Sequence, residues 1–304
     1  APPEEGEIEA RLLEAQETAL HGDLKTALAL AGEAVRLAPE RPDGYLALGD
    51  LNLRFGDLLE ARRSYEAAER KAGSSRAVAL EALAGRGRVA HAAGDFDGAA
   101  RLFDRALGAD PTDPFGVRPP LAEVRLLLGD APAALAAAAP ADDALPDEHL
   151  VASWAARRAG DPVEAIARAR LALFGNLYLL AAILDEPAPE LGLVHGVEEA
   201  TPDYAREVAE RLRPIVDADP EAADFLARVA SSRTTAEEAG AFVAAARALL
   251  GEPDPARRAA HVATLNRLRD PERVRRTSAA VFAEIESDDA AAGAGDSGAC
   301  GFDV

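Results

Sequence analysis

Five Gly-Asp pairs recur along the chain, at Gly22-Asp23, Gly56-Asp57, Gly94-Asp95, Gly129-Asp130 and Gly160-Asp161, with spacings of 34, 38, 35 and 31 residues. A period in this range marks stacked repeats. Five residues after each glycine stands an alanine: Ala27, Ala61, Ala99, Ala134 and Ala165. Four further on come Ala31, Tyr65, Phe103, Ala138 and Ala169, and three beyond those Ala34, Ala68, Ala106, Ala141 and Ala172. Steps of three and four place these residues on one helix face. Each pair therefore predicts a tight turn into a helix with a small-residue stripe. One hairpin cannot bury such a stripe alone, so the next must cover it. The step of 38 has a local cause, since Gly73-Ser74-Ser75-Arg76 lengthens one connection.

Composition supports helices. Of 304 residues, 73 are alanine and only 5% are aromatic, which suits close helix packing and fits β-rich folds poorly. A single cysteine, Cys300, rules out an internal disulfide or a cysteine-based zinc cluster. No run of about 18 apolar residues predicts a membrane-spanning segment. The net charge of −20 argues against nucleic acid as the partner, because phosphates are repelled. The start at Ala1-Pro2-Pro3 fits equally a cytoplasmic chain and an exported one that has lost a signal peptide. The oligomeric state is left open.

The units resemble the tetratricopeptide repeat family. Residues 42–75 match best, with Tyr45, Leu48-Gly49, Gly56-Asp57, Leu58, Ala61, Tyr65 and Ala68. Residues 80–113 follow with Leu83, Gly87, Gly94-Asp95, Phe96, Ala99, Phe103, Ala106 and Pro111. Residues 8–41 keep the second helix and Pro39, while 115–145 and 146–175 are more degenerate. The resemblance implies an all-α, right-handed superhelical solenoid of paired antiparallel helices over residues 8–175, after an extension at 1–7. Residues 176–286 read as divergent helical repeats or a helical bundle, with a long loop at 186–202 punctuated by Pro187 and Pro189. Residues 287–304, rich in Asp, Ala, Gly and Ser, predict a disordered tail.

Candidate chemistry is sparse. Gly295-Asp296-Ser297-Gly298 and Ala259-Ala260-His261 copy short pieces of a trypsin-like protease. A triad needs a rigid frame, which a tail serine and a helix histidine do not supply. No two histidines stand at i, i+4, and Asp217, Asp219 and Glu221 lack the glycine of a calcium loop. The chain is therefore expected to be non-catalytic, with no cofactor and no metal. Seven arginines at 257, 258, 267, 269, 273, 275 and 276 face only Asp254, Asp270 and Glu272 locally. They predict either a docking patch or a solvated face paired with acidic residues of the same chain.

The resemblance implies that the first helix of each unit lines a concave groove. Its ligand-facing positions hold Leu12 and Gln16, then Leu46, Asp50 and Arg54, then Arg88 and His91, then Trp154 and Arg157. A clamp for a chaperone's C-terminal carboxylate is absent, because its positions hold Leu12, Gln16, Ala47, Glu81 and Gly85. The expected function is a non-catalytic scaffold binding a peptide or partner protein. Arg54, Arg88 and Arg157 would take carboxylates, and Leu46 and Trp154 would anchor apolar side chains. The alternative is an adaptor whose tail, through Phe302 and Val304, is itself the ligand or blocks the groove.

Overall fold

The computed structural model describes residues 5–138 and 144–296, with side chains described over 6–138 and 144–290. The described residues form sixteen α-helices and one 3-10 turn, with no strand. They divide into two compact units at Leu128/Gly129.

The first unit holds α1 (Glu5–Leu20), α2 (Leu24–Leu37), α3 (Asp43–Phe55), α4 (Leu58–Lys71), α5 (Arg76–Ala92), α6 (Phe96–Ala109) and α7 (Arg118–Leu127). Each helix packs on the next in order. In addition α1, α3, α5 and α7 touch one another in succession, while α2, α4 and α6 make no comparable contact. The odd-numbered helices therefore form the tighter, inner layer of an all-α solenoid.

The Gly-Asp corners explain the hairpins. Gly22, Gly56, Gly94, Gly129 and Gly160 all take φ between 76° and 87°, a left-handed conformation that ends a helix at little cost only for glycine. The aspartate that follows caps the next helix. Asp23, Asp57, Asp95, Asp130 and Asp161 accept from the backbone N–H three residues on, at 2.9–3.2 Å. One dipeptide thus stops one helix and starts another.

The small-residue stripe is the core. Ala61, Tyr65 and Ala68 are buried, as are Ala99, Phe103 and Ala106. The aromatic rings need glycine opposite them. A Cβ on Gly49 would lie 2.6 Å from Tyr65 Cε1, and one on Gly85 would overlap the same ring from α5. Phe103 closes over Gly87 in the same way. The glycine of the Leu48-Gly49 pair is therefore the socket for the aromatic of its own unit, and Gly85 is the socket in the next.

The second unit holds α8 (Ala131–Ala137), α9 (Pro146–Arg158), α10 (Pro162–Gly175), α11 (Leu179–Ile183), the 3-10 turn (Glu198–Ala200), α12 (Pro202–Ala218), α13 (Glu221–Ser231), α14 (Arg233–Gly251), α15 (Pro255–Arg269) and α16 (Pro271–Asp296). The pair α9–α10 keeps the Gly-Asp corner. From there the pattern changes, because α10 is packed by α9, α11, α13, α15 and α16 together. The regular corners gave a division at 175/176. The compact units divide earlier because α10 packs both on α9 and on the C-terminal helices.

One local difference has a plain cause. Helix α16 runs through 287–296, where a disordered tail was expected. Alanine there is the strongest helix former, and Arg228 forms an ion pair with Asp289. Ser232 caps α14 by accepting from the Thr235 N–H.

Candidate functional site

The inner layer of the first unit brings charged side chains together at its middle. Tyr65, rising from α4, donates from its hydroxyl to Asp50 Oδ1 at 2.5 Å. Burial first, then the charge of Asp50, pushes that hydroxyl up from its ordinary pKa. Glu81, at the start of α5, belongs to the same group. Its carboxyl is raised, first by burial and then by the negative charge of Asp50, against the opposing pull of Arg88 and with a smaller push from Asp43. Arg88 donates through Nη2 to the carbonyl of Phe115. Arg54 stays exposed and donates through Nη2 to the carbonyl of Ala19 at 3.3 Å. Gln16 is exposed and Leu12 half-buried on α1.

Further along, His91 Nε2 lies 3.9 Å from Glu123 Oε2, and the Glu123 side chain is buried on α7. The His91 ring meets Phe96 edge-on at 6.0 Å. Sequence reasoning missed Glu81 as a contributor and Glu123 as the neighbour of His91. Both occupy register positions two and nine of their units, which would have found them.

A tetratricopeptide repeat family model matches residues 12–77 and again 53–114. Over residues 12–114, about a third of its length, the chain is similar to the tetratricopeptide repeat family. Such repeats generally mediate protein–protein interaction and are typically non-catalytic. No curated protein matches the chain. The tetratricopeptide hairpins here place Leu12, Gln16, Asp50, Arg54, Arg88 and His91 on the inner helices α1, α3 and α5. Leu46 sits on the same layer, but its 7% exposure and its packing beside Ala61 and Tyr65 make it core. It is too deep to anchor a ligand, because the aromatic ring of α4 draws α3 tightly down.

Trp154 and Arg157 lie in the second unit and are occupied by their own chain. Trp154 is fully buried, and its Nε1 donates to the carbonyl of Ala222 at 3.2 Å. Arg157 Nη1 donates to Glu221 Oε2 at 3.1 Å and Nη2 to Asp219 Oδ2, which also accepts from Arg158 Nε at 2.9 Å. Burial alone would raise the Asp219 carboxyl, yet the hydrogen bonds from Arg158 and Arg157 hold it below the ordinary range. The run Asp217, Asp219, Glu221 thus spans the corner from the end of α12 to the start of α13, and Arg157 is held there by its own chain.

Part of the arginine-rich stretch is used internally. Arg273 pairs with Glu238, and Arg269 Nε donates to the carbonyl of Phe174 at 2.9 Å. His261 is half-buried on α15, whereas Ser297, Cys300, Phe302 and Val304 lie outside the described residues. Among the described residues no helix is long and apolar enough to cross a membrane.

Proposed function

We propose that the first unit receives a segment of a partner protein, extended or helical, along the inner face of α1, α3, α5 and α7. The observation that carries this reading is the grouping of Asp50 on α3 and Glu81 on α5 in the inner layer, where Tyr65 donates to Asp50 and the charge of Asp50 adds to the burial that raises the Glu81 carboxyl. A half-buried carboxylate next to another favours an incoming cation over an incoming anion. This reverses the polarity expected from Arg88, which already donates to the carbonyl of Phe115 and only partly offsets the charge around Glu81. The ligand segment therefore brings a lysine or arginine to Asp50 and Glu81, through charge-assisted hydrogen bonds. Arg54, at the exposed end of α3, takes a carboxylate on the same segment.

The test is a selection of random displayed peptides on the intact protein, followed by polarisation titrations of the tightest sequences. Selected peptides should carry a basic residue, and Glu81→Gln should weaken them about tenfold, the loss of one charge-assisted bond. Arg62→Ala, on the outer helix α4, should leave them unchanged. Equal binding by Glu81→Gln and the parent protein overturns the reading.

A further inference from the structure

The second unit contains an apolar cavity that the peptide reading does not use. Residues 184–197 leave α11 without helical structure and lie along α14, where Arg247 Nε donates to the carbonyl of Leu191 at 2.6 Å. Further along, Tyr178 Oη and His195 Nε2 are 3.1 Å apart, with their rings edge to face at 5.3 Å. Under this loop is a cavity of about 310 Å³, walled by Leu177, Val194, Val197, Phe242, Leu250 and Leu265 among others.

Three of those walls are left in water. Val194 is 76% exposed, Val197 58% and Leu250 53%. Single exposed apolar residues are ordinary, but three rimming one cavity form a contiguous apolar mouth, which marks a binding site. The charge of the wall is one-sided. Arg269 lines the cavity, with its guanidinium carbon 4.6 Å from the Phe242 ring centroid and its Nε fixed on Phe174. Its terminal nitrogens have no partner among the described residues. No aspartate or glutamate lines the cavity, although the chain carries 53 of them.

We infer that this cavity binds a small apolar carboxylate, with its chain among the leucines, valines and Phe242 and its carboxylate on the two open nitrogens of Arg269. A planar guanidinium held by a ring and a carbonyl presents two parallel donors, the geometry a carboxylate accepts. At about 310 Å³ the cavity is at the small end of ligand sites, which suits a chain of medium length.

The experiment is calorimetric titration of the intact protein with decanoate, decanol and decylamine, each below its aggregation threshold. Decanoate should bind at least tenfold more tightly than the other two. Arg269→Gln should remove that preference, and Ala246→Leu, which occupies part of the cavity, should weaken decanoate at least tenfold while the unfolding temperature is kept. Methyl NMR shifts should centre on Val194, Leu249 and Leu265. Equal affinity for decanoate and decylamine, or decanoate binding left unchanged by Ala246→Leu, overturns the inference.

Discussion

The two units are organised around opposite kinds of residue. In the first, Tyr65 is buried between two glycines, and everything it touches lies within about one repeat of it. In the second, the fully buried side chain of Arg170 gathers four partners. Its Nη1 donates to the carbonyl of Val274 at 3.1 Å, to Thr277 Oγ1 at 2.8 Å and to Ser278 Oγ at 3.0 Å, and its Nη2 pairs with Glu238 at 2.5 Å. Those partners lie 68 to 108 residues away in sequence. Shape complementarity between neighbours builds a solenoid one unit at a time. A buried charge needs its counter-groups delivered from afar and so closes a bundle in one step. The same chain of alanine-rich helices therefore assembles locally in one half and globally in the other.

The comparison breaks most sharply at Arg170. Arg170→Met leaves Glu238 with only Arg273 in a dry setting, and losing one partner of a buried pair costs about 3–5 kcal/mol. Hydrogen exchange should show the second unit destabilised while amides of α1–α6 keep their protection. Adding Glu238→Leu should recover part of the loss, since an apolar replacement of both partners is tolerated. Loss of protection in both units together would show them to be one cooperative body.

A smaller effect is expected at Gly85. Gly85→Ala gains about 1 kcal/mol of helix propensity but forces a methyl group into the Tyr65 ring, at about 1–3 kcal/mol. The net loss, up to about 2 kcal/mol, should appear in urea unfolding of the first unit and should be relieved by Tyr65→Leu. A neutral Gly85→Ala would show that the socket has room to spare.

The smallest effect tests the electrostatics. The folded pKa of Glu81 lies above its unfolded value, so the native state holds the proton more tightly and stability rises as pH falls through the folded pKa. At neutral pH the charge is a net cost. Glu81→Gln should therefore stabilise the protein there, by less than about 1 kcal/mol after solvent screening. The two proteins should converge as the pH drops below the ordinary carboxylate range. A destabilised Glu81→Gln at neutral pH would assign Arg88 the larger influence. It would also weaken the case for a basic ligand, which rests on the same carboxyl.

Legibility follows the range of the interactions. The corners were readable because glycine and aspartate act within five residues of themselves, and the stripe because helical period is local. Positions on the inner helices were readable as register, but not their fate. Leu46 is buried by a ring from the next helix, and Trp154 and Arg157 by residues more than sixty positions on. No periodicity announces Arg170, whose sequence context of alternating Ala and Arg reads as an exposed face. The cavity beneath residues 184–197 was heralded only by a proline-marked loop.

The burial of Trp154 has a practical corollary. It is the chain's sole indole, sealed from water and bonded to the backbone of α13. Its emission is a built-in optical gauge of the second unit, where it sits, so a spectrum shift on adding a candidate binder reports a response there without any dye or label.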